Sequence, residues 1–228
     1  MIDLTHHKQQ LVDCIRMLEH TDVIDYNGHA SIKVDDQHLL INQGNCQRSQ
    51  LTLDDIVLIN FDGELVDGVH KPPLEFHLHV GIYRRRADVG AIVHAHPRWS
   101  TFLTMTGHPY LPVYAQGSLV YPMPVLDSPN SINNPVMANR LADTLGDRPA
   151  ALMKSHGAVT VGAHLIEAFV LANYLEENSH RQYMAMQIGT PYVFTEDELA
   201  KCREKLWNEA LFHRTWNHFK AKLPHISG

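Results

Sequence analysis

The chain has 228 residues, of which 44% are hydrophobic and 19% are charged, a composition typical of a folded globular protein rather than a disordered or fibrous one. Its net charge of −6 argues against a general nucleic-acid binder, which needs a basic surface to displace counterions. The 17 histidines are an unusually large number and suggest a metal site without locating it.

The cysteines and the N-terminal residues bear on the cellular compartment. Cys14, Cys46 and Cys202 are far apart and form no CxxC pair, so we expect neither a disulfide framework nor a cysteine-rich zinc site. The first residues contain no apolar signal segment, and no stretch approaches the length of a membrane span. These features predict a cytoplasmic protein without membrane attachment, and the length predicts a single domain over residues 1–228.

The first third of the chain predicts one helix followed by short strands. Leu11, Ile15 and Leu18 recur at helical spacing and predict an opening amphipathic helix. Residues 27–31 are typical of a turn into a strand. Short strand-like runs follow at 32–34, 39–41 and 56–59, the last of them after a capping pattern at 52–55.

The next segment predicts a helix that carries a carboxylate near its start. Pro72 and Pro73 are favoured in the first turn of a helix, and Leu74, Leu78 and Ile82 would then share one face. Glu75 would lie in the first turn, where the helix dipole stabilises a negative charge. The sequence also contains His77 and His79; we expect them on the helix surface, with a position facing the pocket as the alternative for one of them.

The remaining elements complete an α/β pattern. Apolar runs at 89–93 and 150–153 predict two buried strands, and a long helical pattern follows over residues 166–187. Thr195 and Glu198 form a capping box that predicts the start of a last helix. Helices and strands therefore alternate irregularly, which favours an α/β fold with a mostly antiparallel central sheet between helices.

Three histidines stand where a metal site could form. His94 and His96 follow a predicted strand, and side chains two residues apart in a strand project from the same face. An HxH pair alone is weak in a histidine-rich chain, so a third ligand is needed. His156 also follows a predicted strand, and Gly157 permits a tight turn beside it. Glu75 could act near a metal as a general acid/base or a displaceable ligand, although a solvated helix acid is the ordinary alternative.

These elements together resemble the class II aldolase/adducin family. The resemblance rests on Glu75, on the run 83–97 that contains His94 and His96, and on His156 within 155–157, and it extends over nearly the whole chain. It implies that the three histidines bind a divalent metal and that Glu75 is the catalytic acid/base. It also implies a three-layer α/β/α sandwich around a mixed, largely antiparallel sheet, a small-molecule substrate, and a homotetramer with active sites at subunit interfaces.

The chain departs from the sugar-phosphate members of that family. Pro73 and Leu74 stand where those members have a pair of serines before the catalytic acid, and neither side chain can hydrogen-bond a phosphate. His29 and Ala30 follow the retained Asn27-Gly28, and residues 42–45 also differ from the family's usual pattern. The resemblance is therefore closer to members that act on unphosphorylated carboxylates, including aromatic-acid decarboxylases.

The function that these observations favour is a metal-dependent carbon–carbon lyase. The resemblance implies a metal that acts as a Lewis acid and stabilises an enolate or enediolate when a carbon–carbon bond breaks. We predict decarboxylation of an unphosphorylated hydroxy- or oxo-carboxylate, such as an ortho-hydroxy aromatic acid. The alternatives are aldol cleavage of a hydroxy-oxo acid or a sugar (phosphate), a related epimerase or dehydratase, and a non-catalytic adducin-like scaffold. A cupin is disfavoured because no glutamate follows the HxH pair closely.

The metal and the substrate contacts are less closely specified by the sequence. Three histidines with an open position suit zinc best, and manganese, cobalt and iron also accept imidazole ligands. The predicted substrate-binding residues are Asn27, Ser31, Gly44, Lys154 and Tyr114. Lys154 could equally pair with a substrate carboxylate or be a surface lysine, and the resemblance places Tyr110 and Tyr114 where the family often has an interface tyrosine.

Overall fold

The structure, a computed structural model, describes residues 4–223. One eight-stranded sheet forms its centre. In chain order, strands β1 to β8 are His29–Lys33, His38–Asn42, Ile56–Asn60, Leu65–Asp67, Ala91–Ala95, Val125–Leu126, Ala150–Met153 and Gly157–Gly162. They lie across the sheet in the order β4-β3-β2-β1-β5-β8-β7-β6, and all neighbours are antiparallel except β6 and β7. The predicted mixed, largely antiparallel sheet is therefore confirmed.

Helices cover both faces of the sheet. In chain order, α1 to α7 are Thr5–His20, Phe76–Arg85, Arg98–Met105, Pro135–Leu145, Leu165–Ile188, Glu196–Leu206 and Glu209–Lys220. One buried cluster packs α1, α5 and α7 against the sheet through residues such as Leu11, Phe169 and Phe212. A second cluster packs α2 and α4 against the opposite face through Leu78 and Leu141. Alternate residues of each strand point to opposite faces of the sheet and so contribute to the two buried clusters. The prediction of a three-layer α/β/α fold is therefore confirmed.

Local sequence patterns predicted several elements correctly. The long helix predicted over 166–187 is α5, and Thr195 and Glu198 form the predicted capping box at the start of α6. That helix is not the last one, because α7 follows it. The start of α2 differs from the prediction, because Glu75 is the residue that precedes the helix and Leu74 is 80% exposed. Pro72 and Pro73 lie before the helix, in a turn where the Phe76 N–H donates a hydrogen bond to the Pro73 carbonyl. The helix therefore begins one turn later than the position of the prolines suggests.

The long helix α5 fixes the segment that follows the HxH pair. The buried carboxylate of Glu176 accepts hydrogen bonds from the backbone N–H groups of Trp99 and Ser100, at 2.6 and 3.0 Å, and from the Ser100 hydroxyl at 3.0 Å. Satisfying the free N–H groups at the start of α3 ties this helix to the core. The end of β5, where the HxH pair lies, is therefore held on a rigid support.

Two further findings concern the cysteines and the helices. Cys14, Cys46 and Cys202 are all free thiols. Within residues 4–223, every helix is too short or too polar to cross a membrane.

Candidate metal centre

The two central strands β5 and β8 bring the predicted histidines together. His94 lies in β5 opposite Val159 of β8, and His96 follows the end of β5. His156 lies in the turn before β8, next to Gly157. A side chain on Gly157 would collide with the backbone carbonyl oxygen of Ala95, so glycine permits the close approach of the two strand ends.

Glu75, the residue just before α2, also belongs to this cluster. One donor atom from each of Glu75, His94, His96 and His156 lies within 4.8 Å of the others. The Glu75 carboxylate faces Nε2 of His94 at 3.5 Å and Nε2 of His156 at 3.7 Å. The structure therefore brings together all four residues that sequence analysis selected for chemistry.

The hydrogen bonding of the histidines fits a metal ion. Nδ1 of His94 donates to the carbonyl oxygen of Ala158 at 2.9 Å, which leaves the lone pair of Nε2 directed at the cluster. Nε2 of His94, Nε2 of His96 and Nδ1 of His156 are buried and have no hydrogen-bond partner among the described residues. Unpartnered buried nitrogens are costly unless a ligand satisfies them. Three imidazoles beside a carboxylate form a donor set that a divalent cation accepts.

Burial favours the neutral form of two of the three imidazoles. It lowers the pKa of His96 to about 4 and lowers the pKa of His156 below its ordinary value, and the neighbouring His94 adds to both effects. A neutral imidazole has a lone pair free to bind a cation. The rings of His96 and His156 are therefore in the protonation state that metal binding needs.

The carboxylate of Glu75 is anchored by a distant loop. Its Oε1 accepts hydrogen bonds from the Ser131 hydroxyl at 2.9 Å and from the Ile132 N–H at 2.7 Å. Burial raises the pKa of Glu75, but His29, His94 and the Ile132 N–H outweigh that effect and hold the pKa well below its usual value. Glu75 is therefore an ionised carboxylate in the metal-free protein.

The predicted substrate-binding residues lie in varied surroundings. Ser31 is fully buried and its hydroxyl contacts His79 and Tyr83. Lys154 is exposed and donates to Asp127 at 2.7 Å. Asn27 is exposed and its backbone N–H donates a hydrogen bond to Asp25. Gly44 lies against Pro73. The Tyr114 ring stacks against the Arg181 guanidinium at 4.1 Å.

Sequence reasoning missed two buried histidines beside the cluster. His79, expected on the surface of α2, is 0% exposed, whereas His77 is half-buried. His29 is 3% exposed, and its Nε2 lies 3.9 Å from Oε2 of Glu75. The available signal was the spacing of His29 and Ser31 on a strand and of His79 and Tyr83 on a helix, since each pair shares one face of its element.

A second group of donor residues, His164, Glu167 and Glu209, does not have the same character. Nδ1 of His164 accepts the N–H of Glu167 and so caps α5. The neutral ring must then carry its proton on Nε2, which donates to Glu209 at 3.0 Å. Both nitrogens are already satisfied, and this group is explained as a helix cap joined to α7.

The buried histidines predict an acid-sensitive metal-free protein. Burial lowers the pKa of His29 from 6.5 to about 4. Between these values the unfolded chain binds more protons than the folded one, so stability falls as the pH is lowered through this window. We expect the free energy of unfolding in urea to drop by about 2 kcal/mol between pH 7 and pH 5 from His29 alone.

A pair of variants checks this assignment. His29→Asn, which removes one titrating ring, should reduce the fall in stability between pH 7 and pH 5 by about 2 kcal/mol, whereas His218→Asn on the exposed face of α7 should leave it unchanged. Equal pH dependence in the wild type and His29→Asn would contradict the role of His29.

Comparison with known proteins agrees with this site. Residues 9–183 match the family profile of the Class II Aldolase and Adducin N-terminal domain. The chain is 30% identical over 183 residues to a 5-methylthioribulose-1-phosphate/5-deoxyribulose-1-phosphate aldolase from Rhodospirillum rubrum, covering 78% of this chain and 80% of the relative. It is also 30% identical over 190 residues to a 3,4-dihydroxyphthalate decarboxylase from Arthrobacter keyseri, covering 74% of each.

A solved structure shows the same fold. An aldolase II superfamily protein from Pseudomonas syringae superposes with a TM-score of 0.86 at 21% sequence identity, covering 98% of this chain and 94% of that one. The family profile over residues 9–183 and the 30% identical relative show that the chain belongs to the class II aldolase and adducin family. It is a metal-dependent lyase of that family.

Proposed function

We propose that the protein decarboxylates an unphosphorylated hydroxy- or oxo-carboxylate, such as an ortho-hydroxy aromatic acid, with a divalent metal held by His94, His96 and His156. The observation that carries this substrate class is the segment before Glu75. Pro73 and Leu74 offer no hydroxyl to a phosphate, and Leu74 exposes an apolar side chain beside the carboxylate. The similarity to the 3,4-dihydroxyphthalate decarboxylase also supports decarboxylation of an unphosphorylated carboxylate.

When bound, a divalent cation at the three histidines would supply Lewis-acid stabilisation to an electron-rich substrate oxygen; zinc suits three imidazoles best. The ionised Glu75 carboxylate takes the proton of the substrate hydroxyl. The carbon–carbon bond to the carboxylate breaks, its electron pair stays on the ring carbon, and Glu75 delivers the proton to that carbon. The substrate oxygen regains a proton from water as the product leaves, so atoms and charge balance.

The residues around Glu75 fix the orientation of its carboxylate. Ser131 and Ile132 hold one carboxylate oxygen, Oε1, so that the other, Oε2, remains directed at the histidine cluster. A fixed base loses less entropy on reaching the transition state than a mobile one. Glu75 therefore serves as the proton carrier in this proposal.

Aldol cleavage is the second candidate, because the same geometry can stabilise the electrons left when an aldehyde departs. The 30% identity to the ribulose-phosphate aldolase supports it equally in sequence terms. The absence of hydroxyls at positions 73 and 74 is what favours decarboxylation over cleavage of a sugar phosphate.

We also propose a homotetramer with active sites at subunit interfaces. The segment leading to Glu75 supports it, because Val69 and Leu74 are 81% and 80% exposed. Exposed apolar side chains next to a site are typical of a surface covered by a partner. The cytoplasmic location, supported by the three free thiols, stays a prediction.

The proposal is tested by a substrate screen with two readouts. Zinc-loaded protein is incubated with ortho-hydroxy aromatic acids, including 3,4-dihydroxyphthalate, and separately with ketose 1-phosphates, while carbon dioxide and aldehyde are measured. We expect metal-dependent carbon dioxide release from an aromatic acid, and release at least about 100-fold slower from a Glu75→Gln control. Aldehyde release from the phosphates alone would replace decarboxylation with aldol cleavage.

A further inference from the structure

A chain of four buried side chains connects Glu75 to the interior between β1 and α2. Nδ1 of His29 lies 2.6 Å from Nε2 of His79, and Nδ1 of His79 lies 2.6 Å from the Ser31 hydroxyl. The Ser31 hydroxyl lies 2.7 Å from the Tyr83 hydroxyl. All four residues are at most 4% exposed. We call these residues the His29–Tyr83 chain, and the proposed reaction uses none of them directly.

The directions of the three hydrogen bonds are coupled. Each short contact holds one proton, and a neutral imidazole has one N–H and one lone pair. Burial lowers the pKa of both His29 and His79, so both rings are neutral near pH 7. Choosing the donor in one contact therefore fixes the donor in the next, and the whole chain has only two arrangements.

The Glu75 carboxylate distinguishes the two arrangements. Nε2 of His29 lies 3.9 Å from Oε2 of Glu75, so a shift of about 1 Å brings them into hydrogen-bonding distance. In one arrangement this nitrogen carries a proton that faces the negative charge. In the other it presents a lone pair to the carboxylate, which is repulsive. The favourable arrangement requires His79 to donate to His29, Ser31 to donate to His79, and Tyr83 to donate to Ser31.

We propose that His29 is a positioning residue that holds the Glu75 carboxylate through its Nε2–H, and that His79 and Ser31 fix the ring of His29 in that tautomer. The inference rests on the proposed role of Glu75 as the proton carrier. A carboxylate held between the Ile132 N–H on Oε1 and His29 on Oε2 has a defined orientation at the cluster. Outer-shell contacts of this kind orient the groups that perform the chemistry.

The far end of the chain argues against a conduit that supplies protons from solvent. Burial raises the pKa of Tyr83 above its usual value, so losing its proton to the chain would leave a costly buried phenolate. Tyr83 is only 4% exposed although it borders a surface depression with Phe61 and Arg84. Its hydroxyl therefore ends the chain as a fixed donor to Ser31.

The tautomers can be measured without turnover. Long-range ¹⁵N–¹H correlation spectra of ¹⁵N-labelled, metal-free protein at neutral pH report which ring nitrogen carries the proton. We expect Nε2–H tautomers for both His29 and His79 in the wild type. Ser31→Ala removes the donor to His79 and should give a mixture of tautomers at both rings. Tyr83→Phe keeps the Ser31 donor and should retain the wild-type pattern.

Activity supplies the second readout. Ser31→Ala should lower kcat by about tenfold with little change in KM, because none of the chain residues touches the substrate in this proposal. Tyr83→Phe should retain most of the wild-type kcat. A conduit for protons would instead make Tyr83→Phe the more damaging change.

Each failure has a distinct meaning. An Nδ1–H tautomer of His29 in the wild-type spectrum overturns the proposal even if Ser31→Ala does not fold. A single wild-type tautomer in Ser31→Ala shows that the chain does not fix the ring. Neither spectrum depends on a substrate, so the assignment of Glu75 and the decarboxylase proposal are tested separately.

Discussion

Replacing Glu75 by Gln is expected to lower kcat by about 100- to 10,000-fold while the protein keeps its metal. Gln has nearly the same size and retains an oxygen that can accept from Ser131 and Ile132. It cannot take up and return a proton, so the loss should appear in kcat. The measurement is kcat for the substrate found by the screen, together with metal content by elemental analysis.

A matched control tests whether the loss of turnover is specific to Glu75. Glu204→Gln makes the same chemical change on the exposed face of α6 and should leave both kcat and metal content at wild-type values. Near wild-type turnover by Glu75→Gln would remove Glu75 from its assigned role. Loss of metal in that variant would instead indicate that Glu75 is required for metal binding.

Replacing His94 or His156 by Ala is expected to remove the bound metal and with it the turnover. Each change leaves only two imidazoles in the cluster, and a site with an open position normally needs three protein ligands. We expect metal affinity to fall by at least about 100-fold, beyond the usual effect of changing an outer-shell partner. Metal content after dialysis against a chelator measures the loss.

The control for the histidine variants lies on the helix that follows Glu75. His77→Ala removes a half-buried imidazole of α2 that does not belong to the cluster, so it should retain metal and activity. Full metal occupancy in both His94→Ala and His156→Ala would place the metal elsewhere in the protein.

The parts of the site that the sequence predicted depend on local geometry. His94 and His96 share a face because strand side chains alternate, and an apolar run marks the strand that carries them. His156 follows a second apolar strand in the same way. The antiparallel pairing of β5 with β8 then brings the strand ends together, which the resemblance implied and the two isolated patterns did not show.

The parts that could not be predicted arise from contacts between distant elements. Ser131 and Ile132 reach Glu75 across 56 and 57 residues, from a loop with no recognisable motif. His79 was expected on the surface because the apolar spacing of α2 suggested a face containing Leu74. That helix instead buries His79 and Tyr83 against the polar side chains of β1. The polar groups of the two elements form hydrogen bonds with each other in the interior.

The substrate side of the site shows a similar limit. Ser31 is a predicted substrate-binding residue, yet its hydroxyl contacts His79 and Tyr83 within the protein. Lys154 has an aspartate partner on the surface that only the pairing of β6 with β7 brings near. Residue type and position along the chain indicate that a polar group is present, whereas its partner is decided by the assembled sheet.

The proposed turnover requires one metal ion at the three histidines. The direct measurement is the rate of carbon dioxide release by metal-free protein as zinc is added in known amounts. We expect no turnover without metal and a linear rise that stops at one equivalent per chain. Full turnover by the metal-free protein, or a rate that does not respond to bound zinc, would contradict this requirement.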